Sequence, residues 1–305
     1  MTGSAARHGV EPVVVPPAPA SIDLHAHTAR SDGVLTPAEL AAQAAAVGVR
    51  LLAITDHDTL AGVRELHASR AVPAGLEVLP GIEINAVVHG RPEVVESEIH
   101  VLGLGVDPGS DALEAQLAAQ RDARRRRFRK MVRRLRELGF AVDGALEAMP
   151  PTTDDDALGR PRLARALIRL GAVDSVEEAF ERWLSRGRPG YVPRQGLDPR
   201  EAIAAIRDAG GLPSLAHFSE APRLRHIVAE LAGAGLGGLE VYYRTFDQPT
   251  VEAVGRVAAE LGLVATGGTD FHGDRETYAE AHAGLWVPPE VEPPLRAELA
   301  VARPT

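Results

Sequence analysis

From residue 21 onward, apolar and polar positions alternate in blocks, and the blocks switch between a period of two and a period near 3.6. A short strand is expected over 21–25 (SIDLH). Thr36-Pro37 opens a helix through Ala46, with proline in the first turn and Gly48 beyond its end. Residues 50–55 (RLLAIT) read as a buried strand, and Asp58-Thr59 leads into a helix toward Ser69. Separate strands are expected at 76–81 and 82–88, and another at 98–103. Alternating β and α elements predict an α/β fold with a largely parallel sheet or barrel.

The rhythm changes after Asp107. Residues 111–138 predict one long, Arg-laden helix ended by Gly139, and 160–170 and 175–184 predict further helices with no convincing strand between them. The β/α pattern returns with helix 199–209, strand 212–216, helix 221–234, strand 238–242, helix 249–261 and strand 263–267. The proline-rich run 287–294 reads as a surface connection. The expected organisation is a loose tail (1–20), a discontinuous barrel (21–106 and 197–290), a helical insertion (107–196) and a C-terminal segment (291–305).

Composition narrows the chemistry. Aromatics make up only 4% of the 305 residues, so aliphatic side chains must fill the core. There is no cysteine, which excludes disulfides and thiolate metal sites and leaves imidazole and carboxylate as metal ligands. No apolar run is long enough to span a bilayer, and the first twenty residues lack the continuous apolar stretch of a signal peptide. A cytoplasmic protein with no membrane partner is expected. The net charge of −9 is unevenly spread: residues 107–195 hold 18 basic and 14 acidic side chains, a local +4, so the remainder carries −13. An acidic body suits metal ions, and a basic insertion suits an anionic substrate.

The conspicuous polar residues fall where strands end. His25 and His27 are two apart and share a face of an extended segment. Asp32 lies on the adjoining loop (TARSDG), and His57 lies in Asp56-His57-Asp58. Glu83 follows Pro80-Gly81-Ile82, His100 sits in the strand at 98–103, and His217 closes Leu215-Ala216. Asp270 and His272 close Gly267-Gly268-Thr269, again two apart. Barrels of this kind carry their working groups on the carboxyl ends of several strands. So many ionisable groups packed together would be costly without cations. Tyr242 and Tyr243 end a strand and are candidates for lining the pocket or stacking a base, with core packing expected for one of them. Arg124 and Arg127 share a helical face, and Arg162 and Arg188 stand beside Gly-Arg-Pro turns.

Taken together, His25-x-His27, Ser31-Asp32-Gly33, Thr55-Asp56-His57-Asp58, Gly81-Ile82-Glu83, Glu98-Ile99-His100, Ala216-His217 and Asp270-Phe271-His272 resemble the PHP (polymerase and histidinol phosphatase) superfamily over residues 22–273. The insertion, with Gly159-Arg160-Pro161-Arg162 and Gly187-Arg188-Pro189-Gly190-Tyr191, is similar to the stand-alone phosphoesterases of that superfamily. The resemblance implies a distorted (β/α)7 barrel with a helical insertion. It implies hydrolysis of AMP-like nucleotides, adenosine 3′,5′-bisphosphate or the 5′ ends of short RNAs by a hydroxide bridging metal ions. It further implies three divalent cations, drawn from Mn, Fe and Zn. The first would be held by His25, His27, Glu83 and Asp270. Glu83 would bridge to a second, held also by His100 and His217, and Asp32, His57 and His272 would hold the third. The hydroxide would be held near Glu83, Asp270 and His217, and Arg124, Arg127, Arg162 and Arg188 are the expected phosphate ligands. One departure stands out: family members have His at the position of Arg162. Arginine can fork a phosphate but cannot act as an acid at neutral pH. A histidinol-phosphate phosphatase and a non-catalytic, metal-holding interaction domain are the alternative readings.

Overall fold

Side chains on a strand point alternately to its two faces, and the computed structural model shows where those faces lead. It describes residues 20–94, 97–149 and 158–302, so the expected tail 1–20 lies outside the described residues except for Ala20. Seven strands form one sheet in chain order: β1 (Ile22–Ala26), β2 (Leu51–Ile54), β3 (Glu77–Val87), β4 (Glu98–Leu104), β5 (Leu212–Leu215), β6 (Gly238–Tyr243) and β7 (Val264–Gly268). The ends of the sheet meet. The Asp270 amide donates to the His25 carbonyl at 2.7 Å, and the His27 amide donates to the Phe271 carbonyl at 2.9 Å. The result is an α/β, distorted TIM-like barrel with helices outside.

The sheet departs from the expected pattern in two places. β4 runs antiparallel to both β3 and β5, while the other pairings are parallel. The stretches 76–81 and 82–88 are one continuous strand. The expected boundary between them is instead a change of partner: Glu77 to Pro80 pair with β2, and Gly81 to Val87 pair with β4. Proline has no amide hydrogen to donate to a ladder, and here it sits where one ladder ends.

Helices α1 (Pro37–Ala46), α2 (Ala61–Ser69), α7 (Pro199–Asp208), α8 (Arg225–Gly233) and α9 (Gln248–Glu260) return the chain between strands, as the periodicity predicts, and α10 (Tyr278–Ala283) follows the last strand. Thr36 with Glu39, and Asp198 with Glu201, form capping boxes at α1 and α7. The intervening segment holds α3 (Asp111–Glu137), α4 (Val142–Glu147), α5 (Arg160–Arg169) and α6 (Val176–Ala179), which continues as a π-helical turn, Phe180–Leu184. Met131, Leu135, Leu163, Leu167, Val173 and Leu184 form a buried cluster of their own among these helices. Two arginines fasten this cluster to the barrel rim: Arg160 (2.9 Å) and Arg194 each pair with one oxygen of Glu98 on β4.

Outward residues such as Leu52, Ile54, Ile82, Ile84, Val101 and Leu239 pack under the outer helices. Inward residues Ile22, Leu24, Leu51, Leu79, Leu102 and Leu212 fill the barrel floor. On β3 the inward row climbs from Leu79 to Glu83, and on antiparallel β4 it climbs from Leu104 through Leu102 to His100. The floor is greasy and the mouth is polar. The run 287–294 is not a surface connection. Val287 and Val291 are buried, and α11 (Glu292–Ala302) drives Leu295 and Leu299 into the floor cluster. Pro293 and Pro294 fall in its first turn, where proline is tolerated.

Leu295 is fully buried whereas Val301 on the same helix is 83% exposed. Leu295→Ala should therefore lose about 2–5 kcal/mol in denaturant unfolding, and Val301→Ala should be neutral. Equal effects would mean that α11 does not plug the barrel. Likewise Glu98→Ala leaves two mostly buried guanidiniums without their shared carboxylate and should destabilise by about 3 kcal/mol, measured the same way.

Candidate metal centre

All nine side chains expected to bind metal converge at the mouth of the barrel. The first pair depends on an irregularity. Ile22 and Leu24 belong to the floor cluster, but Ala26 belongs to the outer one. The register of β1 against β2 shifts between Asp23 and Ala26. That shift moves the alternation by one residue and brings His25 and His27 to the inward side. Close passage of β7 requires Gly268, because a Cβ there would lie 2.4 Å from the Cβ of His25. Three site residues that are not glycine adopt left-handed backbone: Asp58 (φ 51°), His217 (φ 33°) and Asp270 (φ 48°). Each costs on the order of 1–2 kcal/mol, and such strain collects at functional sites.

Glu83, on β3, is the hub. Its Oε2 lies 3.3 Å from His25 Nε2, 3.2 Å from His27 Nε2 and 3.0 Å from His57 Nδ1. Its Oε1 lies 2.8 Å from His100 Nδ1 and 3.2 Å from His217 Nε2, and those two nitrogens are 3.2 Å apart. Asp270 Oδ1 stands 3.2 Å from His25 Nε2 and 3.1 Å from His27 Nε2. On the other side, Asp32 reaches His272 Nε2 at 3.3 Å and His57 Nε2 at 3.7 Å. Ligand atoms of three groups lie within 4.8 Å of one another: His25, His27, Glu83 and Asp270; His57, Glu83 and His100; and His27, Asp32, His57 and His272.

The electrostatics call for cations. Burial would raise Glu83 and Asp270, yet the surrounding imidazoles hold both well below the usual carboxylate range. Burial would lower His27, but Asp270 and Glu83 outweigh it and hold its pKa up at about 10. Burial pushes neighbouring His57 down to about 3. Adjacent imidazoles are thus driven in opposite directions by burial and by the carboxylates beside them, a perturbation typical of functional sites. His25 Nε2, both nitrogens of His27 and Glu83 Oε2 are buried and make no hydrogen bond. Such orphaned atoms are costly unless something binds them, and their donor set of nitrogen and carboxylate oxygen fits divalent first-row ions.

An outer layer of contacts was not foreseen from the sequence. Glu240, buried in β6, faces His25 Nδ1 at 3.1 Å. Asp23 accepts from the amides of His25 and Thr269 and from the hydroxyls of Thr269 and Tyr278. Tyr243 donates to Asp270 Oδ2 at 2.9 Å, while Tyr242 packs on the floor cluster and against Trp286. The signal for Glu240 lay in the pattern, because a carboxylate between Leu239 and Val241 in a buried strand must have a partner.

The four expected phosphate arginines do not stay together. Arg124 pairs with Asp58, next to His57, and Arg127 donates to the Val192 carbonyl at 2.8 Å. Burial and the nearby Arg194 and Arg160 bring Arg127 down to about 10. These two join Arg160, Arg194 and Glu98 in one charged seam between insertion and barrel. Arg162 and Arg188 stand outside it: Arg162 approaches the Leu146 carbonyl at 3.5 Å, and Arg188 is exposed in the turn after Ser185.

Comparison with known proteins agrees with this fold. Residues 23–158 match the PHP domain model. A 3′,5′-nucleoside bisphosphate phosphatase of Chromobacterium violaceum is 34% identical over 93% of this chain and 99% of its own length. The 5′-3′ exoribonuclease Rnm of Escherichia coli K12 is 34% identical over 88% of this chain and 91% of its own. A solved structure described as an amidohydrolase from Chromobacterium violaceum, with bound sulfate and no metal, superposes with a TM-score of 0.76. Its sequence is 32% identical, and the match covers 93% of this chain and 97% of that one. With relatives of this similarity matching nearly end to end, the chain belongs to the PHP family.

Proposed function

We propose that this chain is a metal-dependent phosphoesterase that hydrolyses phosphate esters of nucleotides, acting on AMP-like nucleotides, adenosine 3′,5′-bisphosphate or the 5′ ends of short RNAs. The observation that carries this reading is the set of three overlapping imidazole–carboxylate groups at the barrel mouth, bordered by an arginine seam. The named activities of the two curated relatives support the nucleotide class.

We assign three divalent cations from among Mn, Fe and Zn. His25, His27, Glu83 and Asp270 would hold the first. Glu83, His100 and His217 would hold the second, and Asp32, His57 and His272 the third. When bound, such ions supply Lewis-acid activation of water and neutralise phosphate charge. The protein's own residues do the remainder. Tyr243 fixes one oxygen of Asp270 by donating to it, which leaves the other for His25 and His27. Arg124, paired with Asp58 next to His57, and Arg127, in the same seam, would orient the phosphate. Arg162 and Arg188, outside the seam, are assigned to the non-reacting part of a longer substrate such as an RNA 5′ end. The family's usual His is replaced by Arg162, so no proton is donated from that position. Among the described residues no helix is long and apolar enough to cross a membrane.

Protein reconstituted with Mn²⁺ should release phosphate or nucleoside from AMP, adenosine 3′,5′-bisphosphate or a 5′-phosphorylated oligoribonucleotide, and should prefer these to histidinol phosphate. Metal-loaded enzyme that turns over none of them, followed by mass spectrometry, would falsify the proposal. Asp270→Ala removes an anionic ligand outright and should cost more than the roughly 10- to 100-fold seen for outer-layer changes; full activity would remove Asp270 from the centre.

Arg127→Ala should raise KM for a nucleotide about tenfold, the value of one charged hydrogen bond. Arg126→Ala, on the exposed face of α3, should leave KM unchanged. The same steady-state assay read against salt separates substrate sizes: KM for an oligoribonucleotide should climb steeply with salt, and KM for a mononucleotide only slightly.

A further inference from the structure

We infer that Glu240 is a positioning residue that holds one ligand of the first ion position and one of the second. This rests on the assignment of the centre as a metal site. Of the seven strands, β6 alone has none of the nine assigned metal ligands either within it or in the four residues after its end; it carries Glu240 instead, fully buried and facing inward.

The contacts of Glu240 are specific. Its Oε1 and Oε2 lie 3.1 and 3.3 Å from His25 Nδ1. A carboxylate only accepts, so Nδ1 must carry the ring proton. The lone pair of Nε2 is then free to face Glu83 at 3.3 Å and Asp270 at 3.2 Å. The same Oε2 accepts the His217 backbone N–H at 2.6 Å. His217 sits at φ 33°, a conformation that its side chain disfavours. The hydrogen bond helps hold that backbone and so aims the ring at Glu83 and His100, each 3.2 Å from Nε2. One carboxylate therefore sets the tautomer of a ligand on β1 and the backbone of a ligand after β5. None of its hydrogen bonds reaches Asp32, His57 or His272. Outer carboxylates that orient a metal-bound imidazole are a general device; here a single group serves two positions, so their occupancies are linked.

Glu240→Gln tests this. The glutamine carbonyl can still accept from the His217 N–H, but its amide then presents N–H to His25 Nδ1. That selects the tautomer with the proton on Nε2, which cannot bind a cation. Wild type, Glu240→Gln and Glu240→Asp would be loaded with Mn²⁺, titrated with a chelator and assayed for retained metal. Cobalt-loaded samples would give the ligand-field absorption spectrum. The expected result for Glu240→Gln is a loss of about 10- to 100-fold in affinity at two ion positions, an altered cobalt spectrum and an unchanged third ion. Glu240→Asp, too short to reach both partners, should weaken the same two and gives the answer if the glutamine variant does not fold. Wild-type affinity and spectrum in the variants would overturn the inference, as would an equal weakening of all ions, which indicates a general loss of structure. A wild-type protein that binds no divalent ion would instead defeat the metal assignment itself.

Discussion

The structure depends on one carboxylate that cannot be left alone. Glu83 is fully buried, and five imidazoles from β1, β4 and the ends of β2 and β5 lie within 3.3 Å of its two oxygens. A buried charge is tolerated only where opposite charge or hydrogen bonds surround it. Around Glu83 that role is divided among residues far apart in sequence, so closure of the barrel and assembly of the centre are the same event. If β1 failed to meet the end of β7, His25, His27 and Asp270 could not all reach one point.

Local backbone cost is accepted in return. The register shift in β1, the glycine at 268 and the left-handed conformations at Asp58, His217 and Asp270 would each weaken an ordinary barrel. They lie on the mouth side of the molecule. The opposite end is an unstrained aliphatic floor, closed by Leu295 and Leu299 from α11. This division lets the floor supply stability while the mouth departs from regular geometry, which is the usual compromise at a functional site.

The converging imidazoles and carboxylates were legible in the sequence because each lies in a strand or shortly after one and because pairs two residues apart share a face in extended chain. Helix starts were legible too, at Thr36-Pro37 and at Pro199. What escaped were features set by the partner rather than by the segment itself. Pro80-Gly81 has the composition of a turn, and only the exchange of β2 for β4 as neighbour makes it a strand. The antiparallel direction of β4 is invisible in a seven-residue apolar stretch. Pro293 and Pro294 suggested a surface run, because nothing local shows that a barrel floor awaits Leu295. Glu98, Arg160 and Arg194 are ordinary charged residues until the fold brings them to one point.

The seam joins the two halves of the chemistry. Arg124 is tied to Asp58, the neighbour of His57, and Arg160 and Arg194 are tied to Glu98, two residues before His100. The insertion is thus anchored to the strands that carry ligands of the assigned second and third ions. Arg194 feels the charge of both Arg124 and Asp58, so the two anchor points form one network. Among the described residues Arg124, Arg127, Arg160 and Arg194 meet Asp58 and Glu98 in that network, and burial pushes Arg127 and Arg194 downward. Removing one partner of a buried pair leaves an uncompensated charge, so the network fixes the helical segment against the two strand ends that bear His57 and His100.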